Sequence, residues 1–339
     1  MNDSISIWLP SEEKTVLSGA SLGQTLYSFP VDIHLRGELG AGKTTFLQGL
    51  AKFLGIEDPL TSPTYALEQR YQTNMGVPFI HIDCYRLSSA QSHELLRATD
   101  DQNGIRVIEW ADRLEHPSPH PVIIIDLKEE NAGRKLMCSF QDAPIPSREQ
   151  ILAWRKEVML PGHIGEHCDA VARVCRAIAE NLQEQGRLIR PLLLERAGEI
   201  HDLFRFVDFR PEISSGPYQN DYSEHQKQIH ATWKTRYPNK KHEQVCAAFL
   251  KDNGFDALGQ IVSVHGLYNP SPPKITIEQK ALFYADKRVR YADVVTLEER
   301  FEDLRDRYAK GKENPSSEQW FQEVRSIEKE LFPDGPPSL

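Results

Sequence analysis

Short apolar runs separated by helical segments fill the first part of the chain. Residues 5–9 (ISIWL), 31–35 (VDIHL), 79–82 (FIHI), 107–108 (VI), 122–125 (VIII) and 136–140 (LMCSF) predict strands. Residues 43–54 and 88–98 predict helices between them. Strands alternating with helices predict an α/β layer fold, a largely parallel sheet with flanking helices, over residues 1–145. The stretch QDAPIPS (141–147) holds two prolines and no apolar period, which marks a linker.

Beyond the linker, apolar positions recur at helical spacing. Val171, Val174, Ile178 and Leu182 form one stripe, and Leu192, Leu193, Ala197 and Ile200 another. Val245, Ala248 and Phe249, then Leu258, Ile261 and Val262, continue it, and residues 282–295 close it. Strand-like alternation is nearly absent, so residues 150–330 predict an all-α domain. The proline-rich tail predicts a frayed end.

Composition narrows the function classes. The chain has 339 residues, which suits two cores better than one, and a formal net charge of -9. So acidic a chain is poorly placed to grip nucleic acid by itself, and any role in RNA chemistry is expected to run through a more basic partner. The opening MNDSISIWLPSEEK has neither a basic region nor a long apolar core. The longest apolar stretch is too short to span a bilayer. Five cysteines without a CxxC pair suggest reduced thiols, Cys168 and Cys175 reading as small buried apolar residues on one helical face. A cytoplasmic location is expected.

Residues 37–45, GELGAGKTT, follow the strand at 31–35 and open a helix. They fit the phosphate-binding pattern G-x-x-x-x-G-K-[ST] in the structural context it requires. Gly37, Gly40 and Gly42 allow backbone N–H groups to point inward as an anion nest, and the helix N-terminus adds its dipole. Lys43 is expected over the β/γ-phosphates of ATP, with the Thr44 hydroxyl on Mg2+ and Thr45 beside it. Three further strings accompany the loop: SPTYALEQRY (62–71) with Thr64, HIDCYRL (81–87) with Asp83, and VIEWADRL (107–114) with Glu109 and Trp110. Acidic residues at strand ends beside such a loop usually position metal or water, while each taken singly reads equally well as a solvated strand-end carboxylate. Asp126, ending another strand, reads as structural.

Taken together and in this order, these strings resemble the TsaE family, whose members carry the same loop, S-P-T-[FY], H-x-D-x-Y-R-L and V-E-W segments. The resemblance spans residues 5–140, Cys84 being its one departure. It implies an ATPase that assists the transferase complex (TsaD with TsaB) placing a threonylcarbamoyl group on a tRNA adenosine. It assigns phosphate and Mg2+ to Lys43 and Thr44, a switch-like segment to Thr64, metal or attacking water to Asp83 and Glu109, and packing to Trp110. A P-loop small-molecule kinase is the alternative.

The second half carries a different chemistry. His167, the pair His201–Asp202, His242, His265 and Asp286 each sit at the inward edge of an apolar stripe, where unpaired charge is expensive. Four such histidines with two aspartates suit a metal site. The order H…HD…H…H…D resembles the HD-domain metal phosphohydrolases over residues 158–300. That resemblance implies a binuclear centre of Fe, Mn or Zn: His167, His201, Asp202 and Asp286 on one ion, His242 and His265 extending the set, and Asp202 as bridge. The substrate would be a nucleotide or another phosphate ester. Whether His163 or His167 is the first ligand stays open, as does a non-catalytic docking or nucleotide-sensing role. Arg205 is read as a leaving-group cation or an exposed helix end, and residues 206–241 as a lid or an ordinary loop.

Overall fold

The computed structural model describes residues 3–63, 66–114, 118–209, 222–309 and 315–337. Two compact units emerge: Asn2–Pro144 with Glu180–Arg190, and Ile145–Ala179 with Pro191–Leu339. Residues 180–190, which the sequence reading placed in the second half, thus count with the first.

The first unit runs β1 (Asp3–Leu9), α1 (Glu12–Gly23), β2 (Val31–Arg36), α2 (Lys43–Phe53), β3 (Glu68–Gln72), β4 (Pro78–Asp83), α3 (Ser89–Arg97), β5 (Ile105–Glu109), β6 (Val122–Glu130) and β7 (Gly133–Phe140). The seven strands form one sheet in the order β1-β7-β6-β2-β5-β4-β3. β6, β2, β5 and β4 are mutually parallel, while β3, β7 and β1 pair antiparallel at the edges. The parallel core matches expectation, and the sheet as a whole is mixed. The burial pattern explains the order. All of β5 and nearly all of β2 are buried, as central strands must be, whereas β1 alternates buried and exposed positions.

One face of the sheet packs on α1 and α2 around Ile33, Leu35, Phe46, Leu50 and Val107. The two helices meet backbone to backbone: a Cβ on Gly19 would lie 1.8 Å from Phe46 O, and one on Gly49 2.0 Å from Val16 O. The segment 180–190 completes this unit. Leu188 joins the core, and Arg190 makes a buried bidentate pair with Asp142 at 2.7 and 2.8 Å.

The second unit contains α4 (Arg148–Glu157), most of α5 (Gly162–Glu184), α6 (Pro191–Ile200), α7 (Glu224–Arg236), α8 (His242–Asp252), α9 (Asp256–Val262) and α10 (Ile277–Lys287). A two-residue ladder of β8 (Val289–Arg290) and β9 (Asp293–Val294) follows, then α11 (Leu297–Ala309) and α12 (Pro315–Leu331). The all-α expectation is therefore amended by this small hairpin. α6 buries Leu193, Leu194, Ala197 and Ile200, so Leu194 rather than Leu192 completes the stripe. Close approach of α5 and α6 is set by Gly198, where a Cβ would lie 2.7 Å from Ala172 Cα. Within the segment read as lid or loop, residues 224–236 form α7, which buries His230 and Trp233; residues 210–221 lie outside the described residues.

No helix among the described residues is long and apolar enough to cross a membrane. All five cysteines are buried and free of disulfides.

Candidate functional site

In the first unit, β2 delivers the chain to the glycine loop, and α2 begins at Lys43. Gly37 and Gly42 have φ of 139° and 97°, in the region that excludes most side chains. A Cβ on Gly37 would also lie 2.4 Å from Leu127 O. Gly40 shares the positive φ, at 85°. No side chain caps the N-terminus of α2, which leaves its first-turn N–H groups for an anion.

Lys43 is buried, and its ammonium donates to the carbonyls of Gly37 (2.8 Å) and Glu38 (3.0 Å). It lies 4.4 Å from the centre of the Trp110 ring. Burial lowers its pKa, and the carboxylates of Glu109, Asp83 and Asp112 oppose that shift without cancelling it. Trp110 adopts a left-handed φ of 60°, which carries its ring beside the loop, against Tyr85 at 4.9 Å between centroids.

Asp83 and Glu109 are register partners at the carboxyl ends of β4 and β5, and Glu109 is likewise paired with Leu35 at the end of β2. Both are buried. Asp83 accepts from Ser62 Oγ at 3.1 Å and from the Tyr85 N–H at 2.8 Å, and Glu109 Oε1 lies 2.9 Å from His81 Nε2. Loop, lysine and two carboxylates thus share one end of the parallel strands, where open α/β sheets bind ligands. Thr44 and Thr45 occupy the first turn of α2, half-buried. Thr64 lies outside the described residues. Sequence reasoning missed Arg134 on β7, whose Nε is 2.6 Å from where a Cβ on Gly42 would sit. A lone arginine in a strand paired on both sides gives no sequence signal.

In the second unit, α5, α6, α8, α10 and the turn after α9 bring the expected ligands together. His167, His201 and Asp286 form one group, and His201, Asp202 and His265 a second, with donor atoms within 4.8 Å of one another. His167, not His163, enters the cluster. Its Nε2 lies 3.0 Å from Asp286 Oδ1. Asp202 Oδ1 is 3.0 Å from His242 Nε2 and 3.5 Å from His265 Nε2, while its Oδ2 is 3.8 Å from His201 Nε2.

The ring orientations are fixed from behind. Nδ1 of His167 faces Tyr291 O at 2.8 Å, that of His201 faces Gly198 O at 2.9 Å, and that of His265 faces Val262 O at 2.6 Å. Tyr291 holds a left-handed φ of 58° in the β8–β9 turn, an uncommon conformation for a bulky residue that presents its carbonyl to His167. A proton on each Nδ1 would leave the Nε2 lone pairs for an ion seated among the aspartates. His201 Nε2 is buried and makes no hydrogen bond among the described residues. An orphaned imidazole nitrogen beside carboxylates is what a divalent transition metal would satisfy, so the donor set fits such an ion.

Charge is shared between the aspartates and histidines of the cluster. Burial pushes the Asp202 carboxyl up, but His201, Arg205 and His242 outweigh it and hold the pKa well below the usual range. Asp286 is lowered likewise against burial, by Lys287, His167 and His201. Burial lowers His265, whereas His201 and His242 are raised against burial, His201 by Cys168, Asp202 and Asp286 and His242 by Asp202 and Asp208. A metal ion would displace those protons, since ionised carboxylates and neutral imidazoles are the forms that ligate it. Sequence reasoning missed Asp208 and Glu243, which with His242 form a third group of donors.

Comparison with known proteins places these observations. Residues 9–136 match the family described as "Threonylcarbamoyl adenosine biosynthesis protein TsaE". The tRNA threonylcarbamoyladenosine biosynthesis protein TsaE of Nostoc sp. is 37% identical over 140 residues, covering 40% of this chain and 85% of that protein. The protein of the same name from Aquifex aeolicus is 39% identical, over 36% of this chain and 87% of that protein. A solved structure titled "Crystal structure of Bacillus subtilus YdiB" overlaps at 27% identity and a TM-score of 0.33, covering 42% of this chain and 88% of that one. On the extent and identity of its matches to the Nostoc and Aquifex proteins, the chain belongs to the TsaE family.

Proposed function

We propose that the first unit hydrolyses ATP in support of tRNA threonylcarbamoyladenosine biosynthesis, acting on a partner transferase complex of the TsaD and TsaB type. The observation that carries this reading is the convergence of Lys43, Asp83 and Glu109 at the mouth of the glycine loop. Lys43 would exchange the carbonyls of Gly37 and Glu38 for phosphate oxygens, gaining far more than it gives up. Glu109, steadied by His81, and Asp83, steadied by Ser62 and the Tyr85 N–H, would orient the attacking water. Mg2+ bound with the nucleotide would screen the phosphate charge, and Thr44 and Glu109 are the residues to hold it. With a net charge of -9, the chain would reach tRNA through its partners. The test is multiple-turnover tRNA modification by the transferase complex. Addition of this chain is expected to sustain it and addition of Lys43→Ala to leave it stalled; equal support from both would reject the reading.

For the second unit we propose an HD-type metal phosphohydrolase. The orphaned, buried Nε2 of His201 between two ionised aspartates supports it. Fe, Mn or Zn in this centre would supply a water acidic enough to attack a phosphate ester. His167, His201, Asp202 and Asp286 would hold one ion, and His242 and His265, sharing Asp202, the other. Arg205, whose guanidinium lies 3.2 Å from the His242 ring nitrogens, would meet phosphate charge. A screen of nucleotides and phosphate esters against the Mn2+-loaded chain tests it. Hydrolysis lost in Asp202→Ala is expected, and a metal-loaded chain inert to every ester would favour a docking or sensing module.

A further inference from the structure

His242 is held differently from the other three imidazoles of the cluster. Its Nδ1 faces carboxylates, Asp208 Oδ2 at 2.5 Å and Glu243 Oε2 at 3.3 Å, with the Arg205 guanidinium at 3.2 Å, where the others face backbone carbonyls. Asp208 holds the residue at two points, because its Oδ1 also accepts from the His242 backbone N–H at 3.3 Å. Glu243 is buried, and Gly266 makes room for it: a Cβ there would lie 1.7 Å from Glu243 Oε1. Asp208 closes the short 3-10 turn Arg205–Asp208 that follows the His201–Asp202 pair. One turn of chain therefore links the central aspartate to the group behind His242.

With an ion bound, a carboxylate on Nδ1 would keep the proton there and leave the Nε2 lone pair for the metal. Nε2 points at Asp202 Oδ1 (3.0 Å) and His265 Nε2 (3.2 Å). A negatively charged acceptor also makes the imidazole a stronger donor to a cation than a carbonyl does.

We propose that Asp208 is a positioning residue that sets the affinity of one half of the metal centre, the half held by Asp202, His242 and His265, without touching the ion. The inference rests on the metal reading of the second unit.

Mn2+ titration of the chelated full-length chain, read by calorimetry and by the spin resonance of free Mn2+, tests it. The wild type is expected to take two ions. Asp208→Ala should raise the dissociation constant of one ion about 10–100-fold and leave the other as in the wild type. Asp208→Asn keeps the hydrogen-bonding group without its charge and should fall between. Two ions bound by Asp208→Ala with wild-type constants overturn the positioning role and leave the metal centre standing. Equal weakening of both ions also overturns it, since a fold defect would do that. A wild-type chain that takes up no Mn2+ removes the metal centre and this role together.

Discussion

The ammonium of Lys43 lies 4.4 Å from the centre of the Trp110 ring while donating to two carbonyls of its own loop. A phosphate entering the loop would draw Lys43 off those carbonyls, and the indole would then sense nucleotide binding. ATP is therefore expected to change the tryptophan emission of the wild type. The change should be absent in Trp110→Phe and much reduced in Lys43→Ala. An equal change in Trp110→Phe would mean another tryptophan reports it.

The His81–Glu109 contact gives a second prediction. Glu109 has 3% of its surface exposed and His81 none, so removal of the imidazole strands a buried carboxylate. His81→Ala should lower ATP turnover by about 10-fold or more, up to the ~10²–10⁴-fold that a well-positioned general base contributes. His81→Gln, which can still donate to Glu109, should recover part of it. Steady-state turnover in Mg2+-ATP measures both.

Stability of the first unit should depend on a residue far along the chain. Arg190 and Asp142 are almost fully buried and bonded in a bidentate pair. Arg190→Ala leaves Asp142 as an uncompensated buried charge and should cost about 3–5 kcal/mol. Urea unfolding followed by Trp110 emission reads the loss. A chain ending at residue 145 lacks Arg190 and Leu188 altogether, and its P-loop unit should unfold at lower urea than in the full chain.

Acid should weaken the same unit through Asp32. Burial raises the Asp32 pKa, but the Arg106 hydrogen bond and charge, with Ser118 and His120, more than reverse it, so the net shift is downward. A carboxylate lowered on folding stabilises the native state fully above its unfolded pKa of about 3.9. That contribution is lost as pH falls through the folded value. Wild-type stability should therefore drop on going from pH 5 to pH 3 more steeply than that of Asp32→Asn, which carries no such titration. Parallel slopes in thermal melts would contradict this.

Much of this was legible in the sequence for physical reasons. The central strands read as mostly apolar segments, broken by Asp32, His34, His81 and Arg106, because both faces are covered, and the glycine loop is legible because its backbone demands small residues at fixed places. α1 was not, because its buried face is made of Thr15, Ser18, Gly19 and Ser21 beside Leu22. Backbone packing on α2 selects small residues and erases the apolar period. α7 was missed because it buries little beyond His230 and Trp233. The metal-centre candidates were visible as polar residues on apolar stripes. Asp208 and Glu243 were not, since a carboxylate that supports a histidine reads in sequence like any surface acid. Arg190 likewise gives no sign that it pairs with Asp142.

The central claim is that the glycine loop and its lysine perform ATP hydrolysis. Phosphate release from Mg2+-ATP by the full-length chain, wild type against Lys43→Ala, tests it most directly. The account predicts turnover in the wild type and loss to background in Lys43→Ala, because the developing phosphoryl charge loses its cation. Wild-type turnover in a folded Lys43→Ala chain would contradict it and place the ATPase elsewhere in the molecule.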